Sequence, residues 1–161
     1  MTDQALVEAL RHSRLGAELS EEQTRTLAEQ IRFRDLEPDE VLVDEGTSDN
    51  HLYVIVRGAL GVVRNAGSPE RVTLLTLTAG DLVGELSFID ETRHYASLVA
   101  VGPTRVFGLE RERLESLLST HPQIVYRVMR AIVRTVHEIQ RRISMHATEL
   151  TNYIYKQHGK Y

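Results

Sequence analysis

The 161-residue chain contains no cysteine, which removes disulfides, thiolate metal ligands and a thiol nucleophile and leaves the redox compartment unread. No stretch approaches the roughly 18 consecutive apolar residues of a membrane span. The opening Met1-Thr2-Asp3-Gln4 has neither the basic region nor the apolar run of a secretory signal. A basic surplus is also missing: the net charge is −4, which argues against a general affinity for nucleic acid, because phosphate binding needs a positive footprint. These absences predict a cytoplasmic chain with no membrane partner. What is present is an apolar content of 42%, inside the globular range, at the usual length of one compact domain. A single domain over residues 1–161 is the expectation. Its charge is uneven: from residue 125 onward there are five arginines and two lysines against Glu138 and Glu149 alone.

Ser20-Glu21-Glu22-Gln23 reads as a capping box that starts a helix, with Leu27, Ala28 and Ile31 as its apolar face. Upstream, Ala5, Leu6, Ala9 and Leu10 mark another short helix. From about residue 41 to 109 the pattern changes. Val41-Leu42-Val43 and residues 52–56, 60–63, 72–77 and 96–101 are β-branched or alternating runs. Turn signals at Glu45-Gly46, Asp49-Asn50, Arg57-Gly58, Ala79-Gly80-Asp81 and Gly102-Pro103 separate them. Many short strands at close spacing mean a barrel, roll or sandwich.

Residues 111–119 return to helical spacing through Leu114, Leu117 and Leu118, and Pro122 can open a long helix beyond them. On that helix Val125, Val128, Met129, Ile132, Val133, Val136, Ile139, Ile143, Ala147, Leu150 and Ile154 recur at steps of three and four. They fall in one sector, opposite Arg127, Arg130, Arg134 and Arg141. The remaining sequence offers no further apolar element to cover so long a stripe. A homodimer through Val125, Val128, Met129, Ile132, Val136, Ile139 and Ile143 is therefore expected.

Four segments carry a resemblance. They are Leu36-Glu37-Pro38-Asp39-Glu40-Val41-Leu42-Val43-Asp44-Glu45-Gly46, then His51-Leu52-Tyr53-Val54-Ile55-Val56-Arg57-Gly58, then Ala79-Gly80-Asp81-Leu82-Val83-Gly84-Glu85-Leu86-Ser87-Phe88, and finally Ala96-Ser97 to Ala100. In this order and spacing they resemble the cyclic-nucleotide-binding domain family, over roughly residues 15–145. The resemblance implies a mainly β fold with flanking helices: N-terminal helices over 1–35, a jelly-roll-like β-roll (double-stranded β-helix) over 36–110, and C-terminal helices over 111–161 with a long dimerisation helix. It also implies a regulatory, non-enzymatic ligand-sensing role. Gly84-Glu85-Leu86-Ser87 matches the family's phosphate-binding cassette, a helical turn whose free N–H groups can hold a phosphate. By the same resemblance Glu85 would accept a hydrogen bond from a ribose hydroxyl. The bland alternatives are that Gly46, Gly58 and Gly80 serve only their turns and that Glu85 is a solvated carboxylate.

The cassette departs from the family pattern at its end. Where cyclic-nucleotide binders usually carry Pro-Arg-x-Ala-Ser, this chain has Arg93-His94-Tyr95-Ala96-Ser97, which puts His94 at the arginine position. Three outcomes are open. Arg93 slips by one position and grips the phosphate, a protonated His94 does so, or the pocket has lost its usual ligand or exchanged it for a cyclic dinucleotide or another anion. The stretch His137-Glu138-Ile139-Gln140 lacks the hydroxyl pair that contacts adenine in bacterial members. None of the seven histidines lie two or four apart, and His51-Leu52-Tyr53 lacks the second histidine of a cupin metal site. No Gly-x-Ser-x-Gly elbow or phosphate-loop Gly-Lys-Ser/Thr occurs. No catalytic or metal-binding residue and no cofactor is expected. The expected ligand is a cyclic nucleotide or related phosphate ester. A protein-interaction module without ligand, or the sensor half of a longer DNA-binding regulator, remain as alternatives. The arginine face of the long helix reads either as a solvated surface or as a contact for an acidic partner.

Overall fold

Two capped helices open the fold. The structure, a computed structural model, describes residues 3–158, with side chains described through residue 145 except for Ile143. The expected dimer residue Ile143 and the stripe positions Ala147, Leu150 and Ile154 therefore fall outside the described side chains. Helix α1 (Gln4–Arg11) starts at Asp3, whose carboxylate accepts from the Ala5 amide. Helix α2 (Glu21–Ala28) starts with both arms of the expected Ser20–Gln23 capping box in place.

Eight strands follow: β1 (Ile31–Leu36), β2 (Val41–Val43), β3 (His51–Arg57), β4 (Ala59–Arg64), β5 (Val72–Thr78), β6 (Leu82–Val83), β7 (Ser97–Ala100) and β8 (Thr104–Glu110). They form two four-stranded antiparallel sheets, ordered β1-β8-β3-β6 and β2-β7-β4-β5. This is the β-roll that the resemblance implied. Two details differ from the sequence reading. Ile31 opens β1 instead of closing a helical face, and β8 fills a part of the expected roll for which no separate strand run was named. The two segments pair with each other, from Ile31 opposite Leu109 to Leu36 opposite Thr104. This pairing across about seventy residues stabilises both, and no local pattern announces it.

Strand β3 shows how the layers are built. Leu52 and Val54 face the helices, while Tyr53 and Ile55 face the interior of the roll. Covered on both sides, the strand reads as a continuous apolar run instead of an alternating one. One core thus lies between the two sheets, and a second lies between the first sheet and the helices. The turn glycines are built as expected: Gly58, at φ +84°, leaves no room for a side chain, since a Cβ would sit 2.5 Å from the Pro103 carbonyl oxygen.

The C-terminal third adds α3 (Glu85–Asp90) on the roll, then α4 (Arg111–Glu115) and α5 (Pro122–His158), with Pro122 as its first residue. The apolar stripe of α5 does find cover within the chain, contrary to expectation. Val128 and Ile132 are buried in the helix-side core, together with Ile124 and Ala131, against residues of α1, α2 and the outer sheet face. Val125, Met129 and Val136 pack on the same core but stay half-buried, as does Ile139. The stripe that looked too long for one roll is shared between this core and an open seam.

The arginine face also gains a structural task. Arg127 donates to the backbone carbonyl of Glu18, Arg134 donates to its carboxylate, and the Arg130 Nε lies 3.6 Å from the same carboxylate. Arg14 pairs with Glu138 on α5 and with Asp81 beside β6. These contacts tie the α1–α2 connection to the long helix. Among the described residues no helix is long and apolar enough to cross a membrane.

Candidate functional site

The cassette begins where β6 ends. Gly84 takes φ +81° and turns the chain from strand into α3; a Cβ there would stand 3.2 Å from the His51 carbonyl oxygen. Glu91, also left-handed at φ 62°, ends the helix. Its amide donates to the Ser87 carbonyl at 3.0 Å, and its carboxylate accepts from Arg111 at 2.8 Å. The chain then runs through Thr92 and Arg93 into β7.

Ser87 is the hinge pin of the site. Its hydroxyl is buried, accepts from the Asp49 amide at 2.7 Å and donates to the Asp49 carbonyl at 2.8 Å. The loop of residues 44–50 is fastened along the far arm of the cassette in the same manner. The His94 amide donates to the Thr47 carbonyl and the Gly46 amide to the His94 carbonyl, each at 2.7 Å. The Glu45 amide donates to the Ser97 hydroxyl at 2.9 Å. Residues 44–50 and the cassette therefore form one stitched unit. The hydroxyls of Ser87 and Ser97 hold backbone within it.

Within this unit the His94 ring is 9% exposed, and its Nε2 lies 3.4 Å from an Asp49 carboxylate oxygen. That is ion-pair distance without hydrogen-bond geometry, so Nε2 is buried with no hydrogen-bond partner. A buried ring nitrogen in this state calls for an explanation. Glu85 sits close enough to feel the histidine's charge. Burial pushes its carboxyl above the usual glutamate range, against the opposing pull of a backbone hydrogen bond and of His94. Tyr53, on the neighbouring strand, is pushed up to about 12, chiefly by burial and then by the Asp49 carboxylate.

The structure thus brings Gly84, Glu85, Ser87, His94, Ala96 and Ser97 together as a half-buried shell, with Ala96 and Ser97 fully inside. It sets the other expected site residues apart. Leu86 is 54% exposed and Tyr95 61%, the latter ring lying 5.9 Å from the Arg64 guanidinium. Arg93 is exposed. Sequence reasoning missed Asp49 and Tyr53. Asp49 was legible only as a turn residue, since its tie to the cassette spans 38 positions. Tyr53 looked like core, which it also is.

Chemically, the shell presents two carboxylates, Glu85 and Asp49, and one group that gains positive charge by protonation, His94. It can hold an anion when His94 is charged, and it offers Glu85 as an acceptor for a hydroxyl.

The curated proteins that this chain is similar to include a receptor protein, a transcriptional regulator and parts of enzymes such as the lysophospholipase NTE1 of Saccharomyces cerevisiae. The cyclic AMP receptor protein of Thermus thermophilus is 33% identical over 95 residues, 58% of this chain and 44% of that protein. The CRP-like cAMP-activated global transcriptional regulator of Mycobacterium tuberculosis is 25% identical over 108 residues, 67% of this chain and 48% of that one. The chain therefore spans about half the length of these curated relatives. A cyclic nucleotide-binding domain from Methylobacillus flagellatus superposes with a TM-score of 0.75 at 26% identity, covering 86% of this chain and 78% of that one. The family model described as "Cyclic nucleotide-binding domain" matches residues 33–121, from within β1 through the roll, the cassette and α4 to the residue before α5, and the chain belongs to that family.

Proposed function

We propose that this chain is a ligand-sensing module whose cassette, residues 84–97, binds a singly charged phosphate ester, with a cyclic mononucleotide as the leading candidate. The observation that carries this reading is the His94 ring: nearly buried, its Nε2 without a hydrogen-bond partner and 3.4 Å from the Asp49 carboxylate, at the family's arginine position and beside Glu85. A protonated imidazole there would donate to a phosphate oxygen. The amides following Gly84 would hold the rest of the anion, and Glu85 would accept from a ribose hydroxyl. The names of the two curated relatives, both linked to cyclic AMP, support the ligand class. The exposed Arg93 does not favour a one-position slip that would bring it to the phosphate. Two ligand charges would meet Glu85 and Asp49 unfavourably, which favours a cyclic mononucleotide over a dinucleotide.

The signal leaves through α5. Half-exposed Val125, Met129, Val136 and Ile139 repeat at steps of four, seven and three and form the open seam. A second copy is the simplest cover, so the homodimer rests on these four, while Val128 and Ile132 belong to the chain's own core. The reading is of a binding module, in which the buried Ser87 hydroxyl serves to hold the Asp49 backbone, accepting from its amide and donating to its carbonyl.

A second reading has its own support. No permanently charged group occupies the arginine position, and the loop of residues 44–50 is hydrogen-bonded along the cassette. This favours an interaction module that keeps the fold without the ligand. The chain's share of its relatives' length equally suits the sensor part of a longer regulator. A thermal-shift screen at mildly acidic pH separates these readings. Cyclic AMP or cyclic GMP should raise the melting temperature, since a ligand selective for the folded state stabilises it. A screen in which no cyclic mono- or dinucleotide moves the transition would favour the interaction module.

A further inference from the structure

The helix-facing side of the first sheet is not covered along its whole length. Beyond α1 it opens into a groove of about 470 Å³, within the usual range for small-molecule sites. Its floor is apolar: Ala5 and Ala9 from α1, Phe33 from β1 and Val56 from β3. Its charged and titratable lining is Arg57 and Arg105 from the sheet and Glu8 and His12 from the α1 side. These two arginines are direct register partners on the antiparallel strands β3 and β8, an arrangement in which like charges destabilise the pair.

One carboxylate serves this row, and it serves one side of it. Asp35 holds Arg105 with two hydrogen bonds, at 2.6 Å to Nε and 2.7 Å to Nη2. Arg105 is further fixed 5.0 Å over the Phe33 ring. Asp35 feels the charge of Arg57 only at longer range. Arg57 is exposed, and among the described residues no carboxylate pairs with it within ion-pair distance. The other acid in the groove wall, Glu8, is already engaged by Arg11 and Gln4. An apolar trough therefore ends at an exposed guanidinium with no carboxylate partner among the described residues, beside an arginine that Asp35 already holds.

We propose that this groove is a second ligand site, separate from the cassette, that takes a free amphipathic carboxylate: an alkyl or aryl body on Phe33, Val56, Ala5 and Ala9, and an anionic head on Arg57. The head supplies the counter-charge that the Arg57–Arg105 pair lacks, and the body covers apolar surface that the fold leaves open.

The test is a titration with octanoate, with octanol as the uncharged control, followed by amide NMR and calorimetry. Octanoate should bind saturably and shift the amides of Ala5, Ala9, Val56 and Arg57, leaving those of residues 84–97 in place. Octanol should bind about tenfold more weakly, the loss expected for one charge-assisted contact. Arg57→Gln should weaken octanoate by about the same factor without altering octanol, while its melting temperature stays level or rises as the like-charge pair is relieved. Arg57→Lys, which keeps the charge, should retain most of the octanoate affinity. Unsaturable binding, octanoate shifts centred on the cassette, or an Arg57→Gln variant that binds octanoate as the wild type does would each overturn the proposal. None of these outcomes depends on whether the cassette binds a nucleotide.

Discussion

Glu85 is the residue whose chemistry is most at odds with its surroundings. Burial raises its carboxyl above the ordinary range, so the folded chain favours its protonated form. The stability it contributes is fully present at acidic pH, below its unfolded value, and is lost as pH rises through the raised one. At neutral pH the ionised carboxylate therefore costs stability. Its partial exposure to solvent keeps the cost to the order of 1 kcal/mol or less. Glu85→Gln should accordingly melt a few degrees above wild type at about pH 7, with the gap closing as pH falls to about 4. Melting curves across that range check it. A variant that melts lower at neutral pH would mean the carboxylate is satisfied in a way that its neighbours do not suggest. A carboxylate retained at a cost to the fold fits a residue kept for a ligand's hydroxyl.

Among the elements, the loop of residues 44–50 and the cassette behave as one. Ser87 carries the join, and Ser87→Ala removes both of its bonds to the part-buried Asp49 backbone, at a cost of about 0.5–1.5 kcal/mol for each bond. Hydrogen exchange should report the loss locally. The amides of Gly46, Asp49 and His94 should exchange faster in the variant, and those of β3 and β8 should keep their protection relative to global unfolding. Uniform acceleration across the roll would show that Ser87 supports the whole core instead of this join. The same element explains what the sequence revealed and what it hid. Local patterns sufficed for the Ser20 cap, the runs of β2 through β5 and the turns at Gly46, Gly58 and Gly80, and the resemblance placed the cassette and His94. They did not suffice for β1 and β8, which are held by long-range pairing, β8 between β1 and β3. Nor did they suffice for Asp49, whose role depends on a hydroxyl 38 positions away. The stripe on α5 was read correctly as apolar but assigned wholly to a partner. The surface that covers Val128 and Ile132 is assembled by α1, α2 and β1 only after folding.

For the whole molecule, two claims remain: that it dimerises through α5 and that its cassette senses a phosphate ester through a proton-dependent cation. The first predicts a dimer in sedimentation at tens of micromolar. Paired Val136→Asp and Ile139→Asp changes should dissociate it without unfolding the chain, because both side chains are half-exposed. Ile132→Asp would be a poor test, since it would place a charge in the core. The second claim is the central one, and calorimetric titration of cyclic AMP into wild type and His94→Arg at about pH 6 and about pH 8 tests it most directly. Histidine gains its charge on the acid side of neutrality, whereas arginine is charged throughout. Wild type should therefore bind roughly tenfold or more tightly at the lower pH than at the higher, and His94→Arg should bind tightly at both. Wild-type affinity that is flat with pH, or no binding by either protein at either pH, would contradict the account.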